Sequence, residues 1–99
     1  MEPDIQAELE LLSTASGGRQ GPIIGQYFGC IFSCSSGMFD CRILLSDSTS
    51  LAPGDRATVP IKFLCPELVI PYLRMGSVFE LRDGRVIARG RVSRVLSAA

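Results

Sequence analysis

The residues of this chain whose types could do chemistry are four cysteines, Cys30, Cys34, Cys41 and Cys65, and a run of arginines toward the C-terminus. Thiols ligate soft metals, pair as disulfides or attack electrophiles. No C-x-x-C knuckle occurs, so the spacing speaks against a zinc site. Cys30 and Cys34 fall on one face of an extended segment, about 13 Å apart at ~3.3 Å per residue, too far to share one ion without a bulge. If residues 35–38 form the turn that follows, Cys34 sits opposite Phe39 and Cys41 opposite Phe32. No two cysteines then face one another, and the sequence predicts reduced thiols without a metal or a disulfide. The chain has no histidine. That absence removes Ser-His-Asp triads, Cys-His dyads and imidazole-ligated metal centres.

Arg89 and Arg91 share one face of the last extended segment, and Arg82 and Arg85 flank the turn before it. Arginine arrays of this kind hold phosphate and other anions. The formal net charge is zero, which argues against wholesale nucleic-acid binding. The charge is uneven, however: residues 1–49 carry two basic and six acidic side chains, residues 50–99 eight basic and four acidic. Two readings stand side by side: pairing between the halves across adjacent strands, and an exposed basic stripe for an anionic partner. A second candidate surface is the glycine-rich segment 14–26 with the residues after it. Gly17 and Gly18 permit positive φ, Arg19 offers a planar donor fork, and Tyr27 and Phe28 are aromatic. The alternative there is a mobile connector. The Ser and Asp residues of 46–55 read as turn chemistry, not as a nucleophile with its base. No catalytic constellation emerges, and no cofactor is implied.

The elements that must position these groups are strands. Residues 4–13 alternate, with Ile5, Ala7, Leu9 and Leu11 on one face and Gln6, Glu8 and Glu10 on the other. Residues 27–34 and 39–45 are β-rich around the 35–38 turn. Residues 56–65 alternate again, and Pro60, lacking a donor, puts this strand at an edge or turns its vacant side outward. Pro66 and Pro71 frame a short irregular apolar segment, 68–70. Residues 77–82 and 86–96 hinge on Asp83-Gly84, a strong hairpin signal. In the last strand Val86, Ala88, Gly90 and Val92 alternate against Arg89, Arg91 and Ser93, and Gly90 on the apolar side implies a bulge or a close backbone approach. Six strands in one domain of 99 residues, with a core over about 4–96 and a tail at 97–99, predict an all-β antiparallel barrel or sandwich. No apolar run reaches the ~20 residues of a membrane helix. The acidic start, Met1-Glu-Pro-Asp4, lacks the features of a signal peptide, so a cytoplasmic location is expected.

In order and spacing the chain resembles the third, C-terminal barrel domain of the elongation factor Tu and elongation factor 1A family. The residues that carry this are Gly17-Gly-Arg19 with Pro22 behind them, Tyr27, the Pro53-Gly-Asp55 turn, and Arg74, Phe79, Leu81-Arg-Asp-Gly84, Gly90, Val92 and Val95. The resemblance spans roughly residues 4–96 and implies a six-stranded antiparallel Greek-key barrel standing alone. It also implies that first and last strands are neighbours, which would set Arg89 and Arg91 against Glu8 and Glu10. The family's nucleotide site lies in another domain, and no G-x-x-x-x-G-K-[ST] pattern occurs here, so no nucleotide is expected. The chain reads Tyr27-Phe-Gly-Cys30 where the family typically reads Tyr-Arg-Pro-Gln, and Gln20 where a histidine often follows Gly-Gly-Arg. These departures disfavour tRNA binding and leave a protein partner or a second copy as the expected contact.

Overall fold

Period-two alternation settles into six strands among the described residues, 2–19, 21–45 and 50–97 of a computed structural model. They are β1 (Ile5–Leu11), β2 (Tyr27–Cys34), β3 (Gly37–Leu44), β4 (Arg56–Phe63), β5 (Val78–Arg82) and β6 (Val86–Val95). Ile5, Ala7, Leu9 and Leu11 are all buried, as the alternation of β1 requires. The strands close antiparallel in the order β1-β4-β3-β2-β5-β6, and β1 lying beside β4 rather than β2 is the Greek-key step. Closure leaves no unpaired edge. β4 is therefore not an edge strand. Pro60 pairs with Gln6 of β1, while the β3 ladder runs only over Ile61–Phe63, so the missing N–H falls where pairing has stopped.

The β2–β3 turn is tighter than the sequence suggested. Two residues, Ser35 and Ser36, make it, because Cys34 pairs with Gly37. Met38, expected in the turn, is in β3, and every later partner moves by two positions. Parity is kept, so the buried faces are those expected, but Cys41 now lies opposite Cys30 and Phe39 opposite Phe32. In β6 a register shift opposite Leu81 and Arg82 turns both Ile87 and Ala88 inward, which breaks the simple alternation, and Val86 is only half-buried.

Three aromatic rings fill the cylinder. Phe32 stacks on Phe79 with centroids 4.2 Å apart and meets Phe63 edge-on at 4.9 Å. Gly90 lies directly opposite Phe79. A Cβ there would sit 2.4 Å from the Phe79 ring and 3.0 Å from the Glu8 carbonyl oxygen, so the close approach expected at this glycine is present. Gly90→Ala is expected to cost about 1–3 kcal/mol in urea unfolding, and a smaller Leu at Phe79 should absorb part of that loss in a double-mutant cycle.

Both ends of the cylinder are closed. The segment 68–70, expected to be irregular, lies within one helical turn, α1 (Pro66–Val69), and a 3-10 turn over Ile70–Tyr72, with Val69 and Ile70 in the core. Pro66 and Pro71 sit in the first turn of each, where a missing N–H is harmless. At the opposite end Ile23 and Leu51 are buried and exchange both backbone hydrogen bonds, at 2.7 and 3.0 Å. The glycine-rich segment is thus pinned as a plug. Asp4 ties β1 to β4: its carboxylate accepts the Phe63 N–H at 2.9 Å and the Lys62 ammonium at 3.1 Å. Gln20, residues 46–49 of the expected polar turn, and 98–99 of the tail lie outside the described residues. Among those described, no helix is long and apolar enough to cross a membrane.

Candidate functional site

The plugged end of the barrel collects the first set of candidate residues. Gly17 takes φ +86° over open space, whereas a Cβ at Gly18 would strike the Leu12 carbonyl at 2.4 Å. Gly18 is thereby a packing glycine that lets the plug lie against the end of β1. Arg19 is a strut. Its Nε donates to the Gly21 carbonyl at 3.0 Å, and a terminal nitrogen lies 3.7 Å from the Asp83 carboxylate. Its guanidinium stands 4.9 Å over the Phe28 ring. The donor fork anticipated for a partner is largely engaged within the chain.

Beside this strut the surface is apolar and open. Ile24 is 66% exposed and Tyr27 is 53% exposed. Arg42 lies 4.8 Å over the Tyr27 ring. Tyr27 pairs with Leu44, so Arg42 is its diagonal neighbour on β3, within reach of a long side chain. Sequence reasoning missed Arg42 and Ile24. The two-residue turn was the signal that would have placed Arg42, because the expected four-residue turn shifts it away from Tyr27. Each arginine–ring contact is worth ~0.5–1 kcal/mol at an exposed site and holds the aromatic in one orientation.

The second set of candidates is split between two grooves on the outer wall. Arg89 and Arg91 line one of about 560 Å³ with Glu8, Glu10 and Arg56; Arg82 lines another of about 680 Å³ with Arg42 and Lys62. Arg85 stands at the rim near Gly18 and Arg19. The expected register holds: Glu8 is opposite Arg91 and Glu10 opposite Arg89. The contacts are different ones. Glu10 bonds Arg56 at 2.7 Å, and Arg89 reaches Glu80 on β5 at 3.6 Å. Arginines interleaved with carboxylates make a mixed wall rather than a continuous basic stripe. Exposed pairs like these contribute ~0–1 kcal/mol each and chiefly fix register.

The cysteines are free. Cys30 and Cys41 are both buried and their sulfurs are 3.7 Å apart, which corrects the expectation that no pair faces. The Cys41 thiol is pushed far above the usual thiol range, first by its hydrogen bond with Cys30, then by burial, then by electrostatic repulsion from the neighbouring Cys30 and Asp40 side chains. It is protonated throughout the physiological range. Cys34 contacts Ser36 and Cys65 is exposed. Among the described residues no three His, Cys, Asp or Glu side chains gather to hold a metal. No protein-family model matches the chain.

Proposed function

We propose that this barrel is a non-catalytic binding module, similar to the C-terminal barrel of elongation factor Tu, that contacts a protein partner through the plugged end. One observation carries the reading: Ile24 and Tyr27 are exposed at the plugged end, Arg42 stands over the Tyr27 ring, and Phe28 beneath them packs on the core with Arg19 over its ring. Aromatic and arginine side chains on a rigid base are the groups that dominate protein interfaces. The plug is fixed by the Ile23–Leu51 bridge, so little ordering entropy opposes docking.

The test is affinity capture of partners by the purified barrel, compared with Tyr27→Ala. The variant is expected to keep its fold and lose about tenfold or more in apparent affinity for the retained protein, ~1.4 kcal/mol or above. Equal retention by both proteins contradicts the reading. A second copy is the alternative occupant, and sedimentation velocity at micromolar concentration separates it from a foreign partner. The competing reading, tRNA binding through Arg82, Arg85, Arg89 and Arg91, requires affinity that rises steeply as salt falls. The carboxylates among these arginines disfavour it, and absence of tRNA binding at low salt removes it.

A further inference from the structure

We propose that Cys30 and Cys41 are a modification site: a cross-strand dithiol that closes to a reversible disulfide when the protein meets a hydroperoxide. The two residues are direct partners in the β2–β3 ladder, and both side chains point into the barrel. Directly opposed residues of an antiparallel pair have Cα atoms about 4.5–5.5 Å apart, inside the range of about 4.4–6.8 Å that a disulfide spans. The sulfurs already touch at 3.7 Å. Rotation about the two Cα–Cβ bonds is the motion that would close the remaining gap. Cys34 and Cys65 are free elsewhere, Cys34 against Ser36 and Cys65 exposed.

The chemistry balances in two steps. Cys30, 9% exposed against 4% for Cys41, is the sulfur that meets the peroxide. It attacks one peroxide oxygen, the O–O bond breaks, water leaves, and Cys30 becomes a sulfenic acid. The Cys41 sulfur then attacks the Cys30 sulfur, the S–O bond breaks, and the Cys41 proton departs with the hydroxyl as a second water. Two thiols and one hydroperoxide give one disulfide and two waters, or water and an alcohol for an organic peroxide. A small dithiol reverses the linkage by exchange. Burial screens both sulfurs from large oxidants, and Cys30 and Cys41 line the groove of about 680 Å³ between Arg42, Lys62 and Arg82, which is wide enough for hydrogen peroxide. The first step waits on peroxide reaching a buried thiol, whereas the second joins sulfurs already in contact and needs no diffusion. A sulfenic acid at Cys30 is therefore consumed before further oxidation.

The test uses the folded wild-type protein and the Cys34→Ser, Cys65→Ser double variant, which leaves Cys30 and Cys41 as its two thiols; Cys34 packs partly against the core and Cys65 is exposed. Each is treated with graded hydrogen peroxide, quenched, and mapped by peptide mass spectrometry. The expected result is a peptide linking residues 30 and 41, loss of two hydrogen atoms from the intact double variant, and full reversal by dithiothreitol. Free-thiol titre after denaturation should fall from two to none. Oxygen adducts at Cys30 or Cys41 in place of the link overturn the proposal. So does survival of both thiols at a peroxide dose that fully oxidises Cys65 of the wild type. The wild-type map needs no variant, so the answer does not depend on the double variant folding.

Discussion

Replacing Phe32 by alanine should lower the unfolding free energy by about 3–5 kcal/mol, the range for emptying a buried aromatic site. Phe32 is fully buried and is the ring on which the other two converge, stacked at 4.2 Å on Phe79 and edge-on at 4.9 Å to Phe63. Its neighbours sit on β4 and β5, which the closed cylinder holds apart, so the site cannot collapse around the void. For a domain of this size each kcal/mol moves the melting temperature by ~4–8 °C, which places the expected drop at ~12–40 °C. Phe32→Leu should lose much less, because it refills most of the volume. Thermal and urea unfolding of the two variants provide the check. A loss under about 1 kcal/mol for alanine would mean that the rings do not form one core.

The second large effect belongs to a polar group. Asp4→Ala is expected to cost about 2–4 kcal/mol, because it strands the buried Phe63 N–H and unpairs the Lys62 ammonium. Asp4 is 4% exposed, so no water replaces the lost oxygen without opening the seam between β1 and β4. The backbone of Asp4 also donates to Ile61 and accepts from Leu96 and Ser97, which fixes the residue where β1, β4 and the end of β6 meet. The Lys62 side chain is partly exposed and can turn to solvent. Lys62→Met should therefore cost no more than ~1 kcal/mol, and Asp4→Asn, which keeps an acceptor for Phe63, should fall between the two. If Lys62→Met matched Asp4→Ala, the ion pair rather than the backbone bond would be the dominant contact.

Much of the architecture was legible because period-two alternation reports burial directly. Ile5, Ala7, Leu9 and Leu11, the Asp83-Gly84 hairpin and Gly90 against Phe79 all follow from local pattern. What escaped were features decided by counting across a turn. Whether two or four residues turn between β2 and β3 leaves the buried face unchanged, so the pattern is silent, yet it decides which side chains touch. The Cys30–Cys41 contact and the Arg42–Tyr27 contact both depended on that count. Burial of Ile87 escaped because a bulge breaks the period. The plug escaped for another reason. Ile23 carries no periodic signal, and its partner Leu51 is far along the chain, so only closure of the barrel end brings them together. Pro60 looked like an edge signal because a missing donor is local, whereas where a neighbour's ladder ends is not.

The candidate surface was legible in part. Gly18, Arg19, Tyr27 and Phe28 do converge on one end, but Arg19 braces rather than reaches outward, and Ile24 supplies apolar area that the segment's glycines had masked. The arginines of the C-terminal half divide between two grooves because Arg82 faces β2 whereas Arg89 and Arg91 face β1. Charge that looks segregated along the chain is interleaved once the strands are laid side by side.

Amide hydrogen exchange of the barrel, measured free and with a protein retained in the affinity capture, tests the proposed binding surface most directly. Residues 21–28 and the β3 amides around Arg42 should become protected, while the outer wall of β1 and β6 exchanges as before. Protection confined to that wall, around Glu8, Arg89 and Arg91, with no change over residues 21–28, would contradict the account.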